Sequence, residues 1–231
     1  YLDAWHDGIS LGQLKIAVAA KRAIIRRNYI SRCEDDFAEL DGWFETLEFT
    51  DNVLGGTELG ALAGISAAPL GPTGPHLIAR NSIGGFYKMP LKLNNAIDGA
   101  LTHGLEFLNN ICVQPLTDAT VGFYLPGPMI GVSDINIHGN TILCRGAIFV
   151  TEQLQWLLAG NVIPSLRIDS NRLWSTLERK MYGSPTLFRF LDVPTQRNVY
   201  MESLADLQAK FGFERTGIYG PMTVKPVAIP V

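Results

Sequence analysis

Leu11, Leu14, Val18, Ile25 and Tyr29 recur at spacings of 3, 4, 7 and 4 residues, the stripe expected along one face of an α-helix. The pattern predicts a long helix over residues 9–33, with Ser10 as its N-cap. Phe37, Leu40, Phe44 and Leu47 repeat the spacing and predict a second helix over residues 35–49. A third is predicted over residues 90–113, from Leu93, Ile97, Leu101, Leu105 and Leu108, with Pro90 at a tolerated first-turn position. Gly99 and Gly104 weaken it by about 1 kcal/mol each. Further helices are predicted near residues 151–159, 169–182 and 200–211.

Between these segments, "ATVGFYLPG" and "SDINIHGNTILCRGAIFV" are short, β-branched and punctuated by turn residues. Strands are expected there, with His138-Gly139-Asn140 as a hairpin turn. No internal repeat is apparent. The expected fold class is helix-rich α+β: long N-terminal helices, a small antiparallel β element in the middle, and an extended Pro-rich C-terminal arm.

Composition shifts this picture toward assembly. Of 231 residues, 47% are apolar and only 18% charged, against about 25% charged in an average soluble domain. Such a chain has a large interior or hides surface against other chains. The 23 Gly and 13 Pro fit turns and extended arms. The segment from Gly220 carries Pro221, Pro226 and Pro230 among Met222, Val224, Val227 and Ile229. Those apolar side chains are expected to be subunit contacts in an arm over residues 220–231. The chain begins at Tyr1 and is expected to be one domain, 1–231, processed or part of something longer.

Three cysteines, Cys33, Cys112 and Cys144, form no CxxC, so reduced thiols in a reducing compartment are expected. That places the protein in the cytoplasm or within a virus-like particle. No apolar run approaches the ~18 residues that span a bilayer, and no membrane partner is expected.

Charge is segregated. Lys15, Lys21, Arg22, Arg26, Arg27 and Arg32 occur without an intervening acid, and nine acids then precede the next base, Arg80. On a helical projection Lys15, Arg22 and Arg26 align as a ridge. The ridge is expected to pair with acidic groups within or between subunits, or to bind RNA or DNA through phosphates. Glu34, Asp35, Asp36, Glu39 and Asp41 lack calcium-loop spacing and fit a helix first turn, so no metal site is assigned.

Phosphate-loop, dinucleotide and nucleophile-elbow motifs are absent from the chain. His103 with Glu106 one helical turn on, and His138, are the best positions for an acid–base site; no catalytic residue or cofactor is assigned. The expected function is a self-assembling structural subunit, a homo-oligomeric shell or coat protein like that of a capsid. The alternatives are an enzyme or enzyme-complex subunit with its site around His103 and Glu106, and a nucleic-acid-binding protein using the basic ridge.

Overall fold

Asn28, Asn52, Asn81, Asn110, Asn140 and Asn171 each stand three residues after an Ile or Phe and two before an apolar residue. Each marks the same corner of a successive turn of backbone. The structure, a computed structural model, describes residues 7–11, 20–40, 44–55, 61–67, 74–93, 102–113, 123–125, 132–144, 149–151, 166–175, 180–181, 184–185, 188–192, 197–201 and 203–221.

Three mostly parallel sheets run the length of these residues. The first holds β1 (Ile9–Ser10), β4 (Asp36–Glu39), β7 (Ala61–Ala67), β10 (Phe86–Leu93), β13 (Phe123–Leu125), β16 (Phe149–Thr151), β21 (Phe188–Asp192) and β22 (Arg197–Met201). The second holds β2 (Ala20–Arg26), β5 (Phe44–Thr50), β8 (His76–Ala79), β11 (Thr102–Leu108), β14 (Val132–His138) and β17 (Arg167–Asp169). The third holds β3 (Tyr29–Ile30), β6 (Val53–Leu54), β9 (Ser82–Gly84), β12 (Ile111–Val113), β15 (Thr141–Cys144), β18 (Arg172–Ser175) and β23 (Ile218–Pro221). Consecutive strands from β1 to β18 pass to the first, second and third sheet in rotation. The chain therefore winds as a β-solenoid, each turn stacking on the last. Parallel neighbours need a long return connection, commonly a helix; here the strands of the other two sheets make the return.

This overturns the helix-rich α+β expectation. Residues 20–39 and 44–50 contain strands β2 to β5 where long N-terminal helices were expected, and 102–113 contain β11 and β12. The middle of the chain is parallel, not antiparallel. The described antiparallel pairs are β21 with β22, and β19 (Lys180–Met181) with β20 (Ser184–Pro185). His138-Gly139-Asn140 is no hairpin, because β14 and β15 lie in different sheets. The chain does contain a repeat, with successive asparagines 24, 29, 29, 30 and 31 residues apart.

The corner has a physical reason in each part. The residue before each asparagine takes positive φ, as at Arg27 (59°), Asp51 (58°), Arg80 (56°), Asn109 (53°), Gly139 (69°) and Ser170 (58°). That conformation turns the chain from the second sheet into the third. The asparagine points inward, and from Asn52 to Asn171 it is fully buried. Its Oδ1 accepts from the N–H and the Nδ2 of the preceding turn's asparagine; for Asn110 these bonds from Asn81 are 2.9 and 3.0 Å. The second Nδ2 proton goes to a strand carbonyl, as from Asn110 to Ile78 at 3.0 Å. Both Nδ2 protons of each ladder asparagine from Asn52 to Asn171 are satisfied, as burial demands.

Inward side chains stack in columns. Ile25, Phe49, Ile78, Phe107, Ile137 and Ile168 form one in the second sheet. Ile30, Leu54, Ile83, Cys112, Ile142, Leu173 and Tyr219 form one in the third. His76 lies fully buried in the column of Leu47, Leu105 and Ile135. Turns approach so closely that a Cβ on Gly55, whose φ is +94°, would collide with the carbonyl oxygen of Gly84.

The two ends differ. At the C-terminal end, helix α1 (Leu204–Phe211) follows β22, capped by Ser203 Oγ accepting from Asp206 N at 3.2 Å and by left-handed Gly212. After it, Glu214 takes the ladder position of the seventh asparagine: its carboxylate accepts from Asn171 N at 3.1 Å and Asn171 Nδ2 at 2.6 Å. Burial raises the Glu214 carboxyl above its ordinary range, although these bonds from Asn171 pull it down. At the N-terminal end, β1, β2 and β3 are the edge strands of the three sheets, and Asn28 is exposed.

Candidate interaction surfaces

Lys21, Arg22, Arg26, Arg27 and Arg32 are all exposed, but they form no helical ridge. Lys21, Arg22 and Arg26 lie on edge strand β2 and Arg27 at the corner after it. Arg22 and Arg26 still share a face, because four residues is an even number in a strand as well as one turn of a helix. Lys15 and the proposed contacts Met222, Val224, Val227 and Ile229 lie outside the described residues. Charged side chains along an edge oppose its pairing with another strand, which accounts for bases on β2.

Part of the acidic complement comes from the next turn. Arg22 Nη2 lies 3.5 Å from Glu48 Oε2. Arg80 grips Asp51 with two bonds, Nε to Oδ1 at 2.8 Å and Nη2 to Oδ2 at 2.9 Å. The Arg80 hydrogen bond holds the Asp51 carboxyl below its usual range, and Arg27 adds to the effect. Both pairs are exposed, so each sets cross-turn register more than stability.

His103 and Glu106 both lie on strand β11, so the helical arrangement that would place one a turn above the other does not exist. Glu106 Oε2 accepts from Asn136 Nδ2 at 2.8 Å. His138, on β14, is the register partner of Asp169. Burial raises the Asp169 carboxyl, but bonds from Thr216 N, Thr216 Oγ1 and Ser170 N outweigh it and hold the group below its ordinary range. Those three donors, at 2.7 to 2.9 Å, all fall on Oδ1 and make Asp169 a clamp for the loop after α1. The structure brings no His–carboxylate hydrogen bond to this face among the described residues.

The acidic cluster is also divided. Asp36 is buried and accepts from Ala63 N at 3.2 Å and Lys92 Nζ at 3.0 Å, while Glu39 accepts from Ser10 Oγ at 2.7 Å. Glu34 and Asp35 are exposed, and Asp41 is not among the described residues. No group of three metal-ligating side chains converges among the described residues. No helix among them is long and apolar enough to cross a membrane.

Sequence reasoning missed the outward column of the third sheet. Tyr29, Val53, Ser82, Ile111, Thr141, Arg172 and Ile218 are successive register partners. Tyr29 is 56% exposed, Val53 42%, Ile111 50% and Ile218 58%. The other large hydrophobic this exposed among the described residues is Ile24, on β2. Val113, Leu143 and Trp174, partly exposed, form a neighbouring outward column. The signal was present in sequence: the first column from Tyr29 to Arg172 is the residue after each ladder asparagine. Comparison with protein-family models, with curated proteins and with solved structures gave no match for this chain.

Proposed function

We propose that the chain is a structural subunit that assembles with copies of itself through the outward face of the third sheet. The observation that carries this reading is the concentration of exposed apolar side chains in one column of that face. A second copy is the occupant because the column is self-complementary. Two-fold rotation about an axis lying in the interface plane, perpendicular to the column, sets the column against its own reverse. Ile111, fourth of the seven, then meets Ile111 of the second copy. Ser82 meets Thr141, Val53 meets Arg172, and Tyr29 meets Ile218 of that copy. Apolar groups face each other at the centre and ends, with the small hydroxyls of Ser82 and Thr141 and the Val53–Arg172 pair between. Each Arg172 sits one step from the other copy's Tyr29 ring, a cation–π arrangement.

With strands about 4.8 Å apart, the column is roughly 29 Å long. A stable interface of about 800 Å² per partner needs the flanking Val113, Leu143 and Trp174 as well. Light scattering on the native chain is expected to give twice the 25.3 kDa chain mass or a higher multiple. Ile111→Asp sets two carboxylates together on the axis and should give monomer with little change in melting temperature, since Ile111 is half exposed. A wild-type monomer at every concentration, or an unchanged mass for the variant, overturns the proposal.

A second reading, RNA or DNA held at the N-terminal edge, is favoured by the exposure of Lys21, Arg22, Arg26 and Arg27. Phosphate contacts would make binding fall steeply with salt. Changing Arg22 and Arg26 to Gln should then flatten that salt dependence while leaving the mass of the assembly unchanged; equal slopes would discard this reading.

A further inference from the structure

The last turn of the solenoid does not close flush against the segment that caps it. Between residues 166–169, which carry β17, and residues 211–215, which end α1 and follow it, lies a crevice of about 350 Å³. Glu214 N, donating to Ile168 O at 2.7 Å, ties the two sides together, and Thr216 N and Oγ1, both on Asp169 Oδ1, tie them again farther on. The crevice changes character with depth. Leu166, Ile168 and Phe213 are buried and form an apolar floor. Phe211 is partly exposed and stacks on Phe213, with ring centroids 5.7 Å and planes 24° apart. Arg167 and Arg215 are exposed and form the rim.

The backbone brings Arg215 to that rim. Gly212, left-handed at the end of α1, lets the guanidinium lie over it; a Cβ there would stand 3.1 Å from Nη2 and 3.5 Å from Nε. The acid in the lining, Asp169, is engaged elsewhere. Its Oδ1 accepts from Ser170 N, Thr216 N and Thr216 Oγ1, donors that disperse its charge within the cap. Two guanidiniums against one such carboxylate leave the rim positive. Lys210, in the last turn of α1, adds a cation 6.0 Å from the Phe211 centroid.

We propose that this crevice binds a small aromatic carboxylate, its ring against Phe211 and the apolar floor and its carboxylate between Arg167 and Arg215. The volume lies at the small end of ligand pockets and suits a body of one or two rings. A third ring extends the Phe211–Phe213 stack in the offset or edge-on geometry that aromatic groups favour. The planar fork of a guanidinium matches a carboxylate's two oxygens. A cation would meet the positive rim, and a sugar would leave the apolar floor unmatched. A monoanion balances the single positive charge left by Arg167, Arg215 and Asp169. The site belongs to the C-terminal cap and is independent of the assembly face.

Titration of the native chain with 2-naphthoate, followed by saturation-transfer NMR at low salt, should show saturable binding with a Kd of about 1 mM, the affinity expected of a ligand this size. Arg167→Gln and Arg215→Gln should each weaken it about tenfold, the loss of one charge-assisted contact. Both side chains are exposed, so the melting temperature should stay as in the wild type. Two further probes divide the site: 2-naphthylmethanol keeps the ring without the charge, hexanoate the charge without the ring, and each should bind more weakly than 2-naphthoate. Failure of 2-naphthoate to saturate at about ten times that concentration overturns the proposal. So does wild-type affinity in a folded variant, or hexanoate or the alcohol binding as tightly as 2-naphthoate. Should one glutamine variant lose its fold, the other decides.

Discussion

Asn110→Ala is expected to lower the free energy of unfolding by about 4 kcal/mol, the cost of orphaning two buried donors and leaving a small cavity. Asn110 Oδ1 accepts from Asn81 N and Asn81 Nδ2, and its own Nδ2 donates to Asn140 Oδ1 at 3.1 Å and Ile78 O at 3.0 Å. Alanine removes all four side-chain bonds in a site with no exposed surface. Asn110→Asp separates acceptor from donor. Its Oδ1 can still serve Asn81, but its second oxygen faces the oxygens of Asn140 and Ile78. Ionisation there is unfavourable, so the folded-state pKa rises. The variant should be nearest to wild type in acid and lose stability as pH rises through that raised value. Urea denaturation at acid and neutral pH checks both variants. Loss of less than about 1 kcal/mol for Asn110→Ala, the level of a typical exposed hydrogen bond, would show that the ladder is not a principal source of stability.

The ladder also shows why the fold was only partly legible. Leu105 and Leu108 satisfied a helical stripe, yet the structure uses Leu105 and Phe107, two apart, as inward residues of β11. In strands this short a few apolar residues satisfy both periods. Arg22 and Arg26 fall on one face under either. The decisive signal was long-range, an Ile or Phe three before Asn and an apolar residue two after it, recurring six times. Variable spacing hid it, because the segments between corners differ in length and only the corner is constrained. The helix α1 did fall within the segment 200–211 expected to be helical, where Ser203 and Gly212 supply ordinary caps. Of the candidate surface, the exposed bases were legible as charge. The apolar column was not, because it is assembled from one residue per turn and has no local pattern until the strands are stacked.

Glu214→Ala is expected to cost about 3 kcal/mol, because it leaves Asn171 N–H and one Nδ2–H buried without an acceptor. The amide dipoles of the ladder all run the same way: each asparagine donates toward the C-terminal end and accepts from the N-terminal side. The last link therefore presents two donors and no acceptor, a charge distribution that a carboxylate's two oxygens complete. A seventh asparagine would offer one acceptor oxygen and carry two donors that need partners farther on. Glu214 ends the chain of bonds instead of passing it along. Its backbone helps fix it there, with Glu214 N on Ile168 O at 2.7 Å, and Gln208 Nε2 at 2.6 Å and Gly217 N at 3.0 Å on Glu214 O. Glu214→Gln keeps one acceptor oxygen but turns an amide donor toward Asn171, so it should cost about 1–2 kcal/mol, one bond's worth. Burial holds the wild-type carboxyl above its ordinary value. Its neutral form therefore contributes stability that is fully present below the ordinary carboxyl range and is lost as pH rises through the raised value. Glu214→Gln should remove this part of the pH dependence, read as a flatter profile of unfolding free energy between acid and neutral pH. If alanine and glutamine cost the same, the carboxylate is not what closes the ladder.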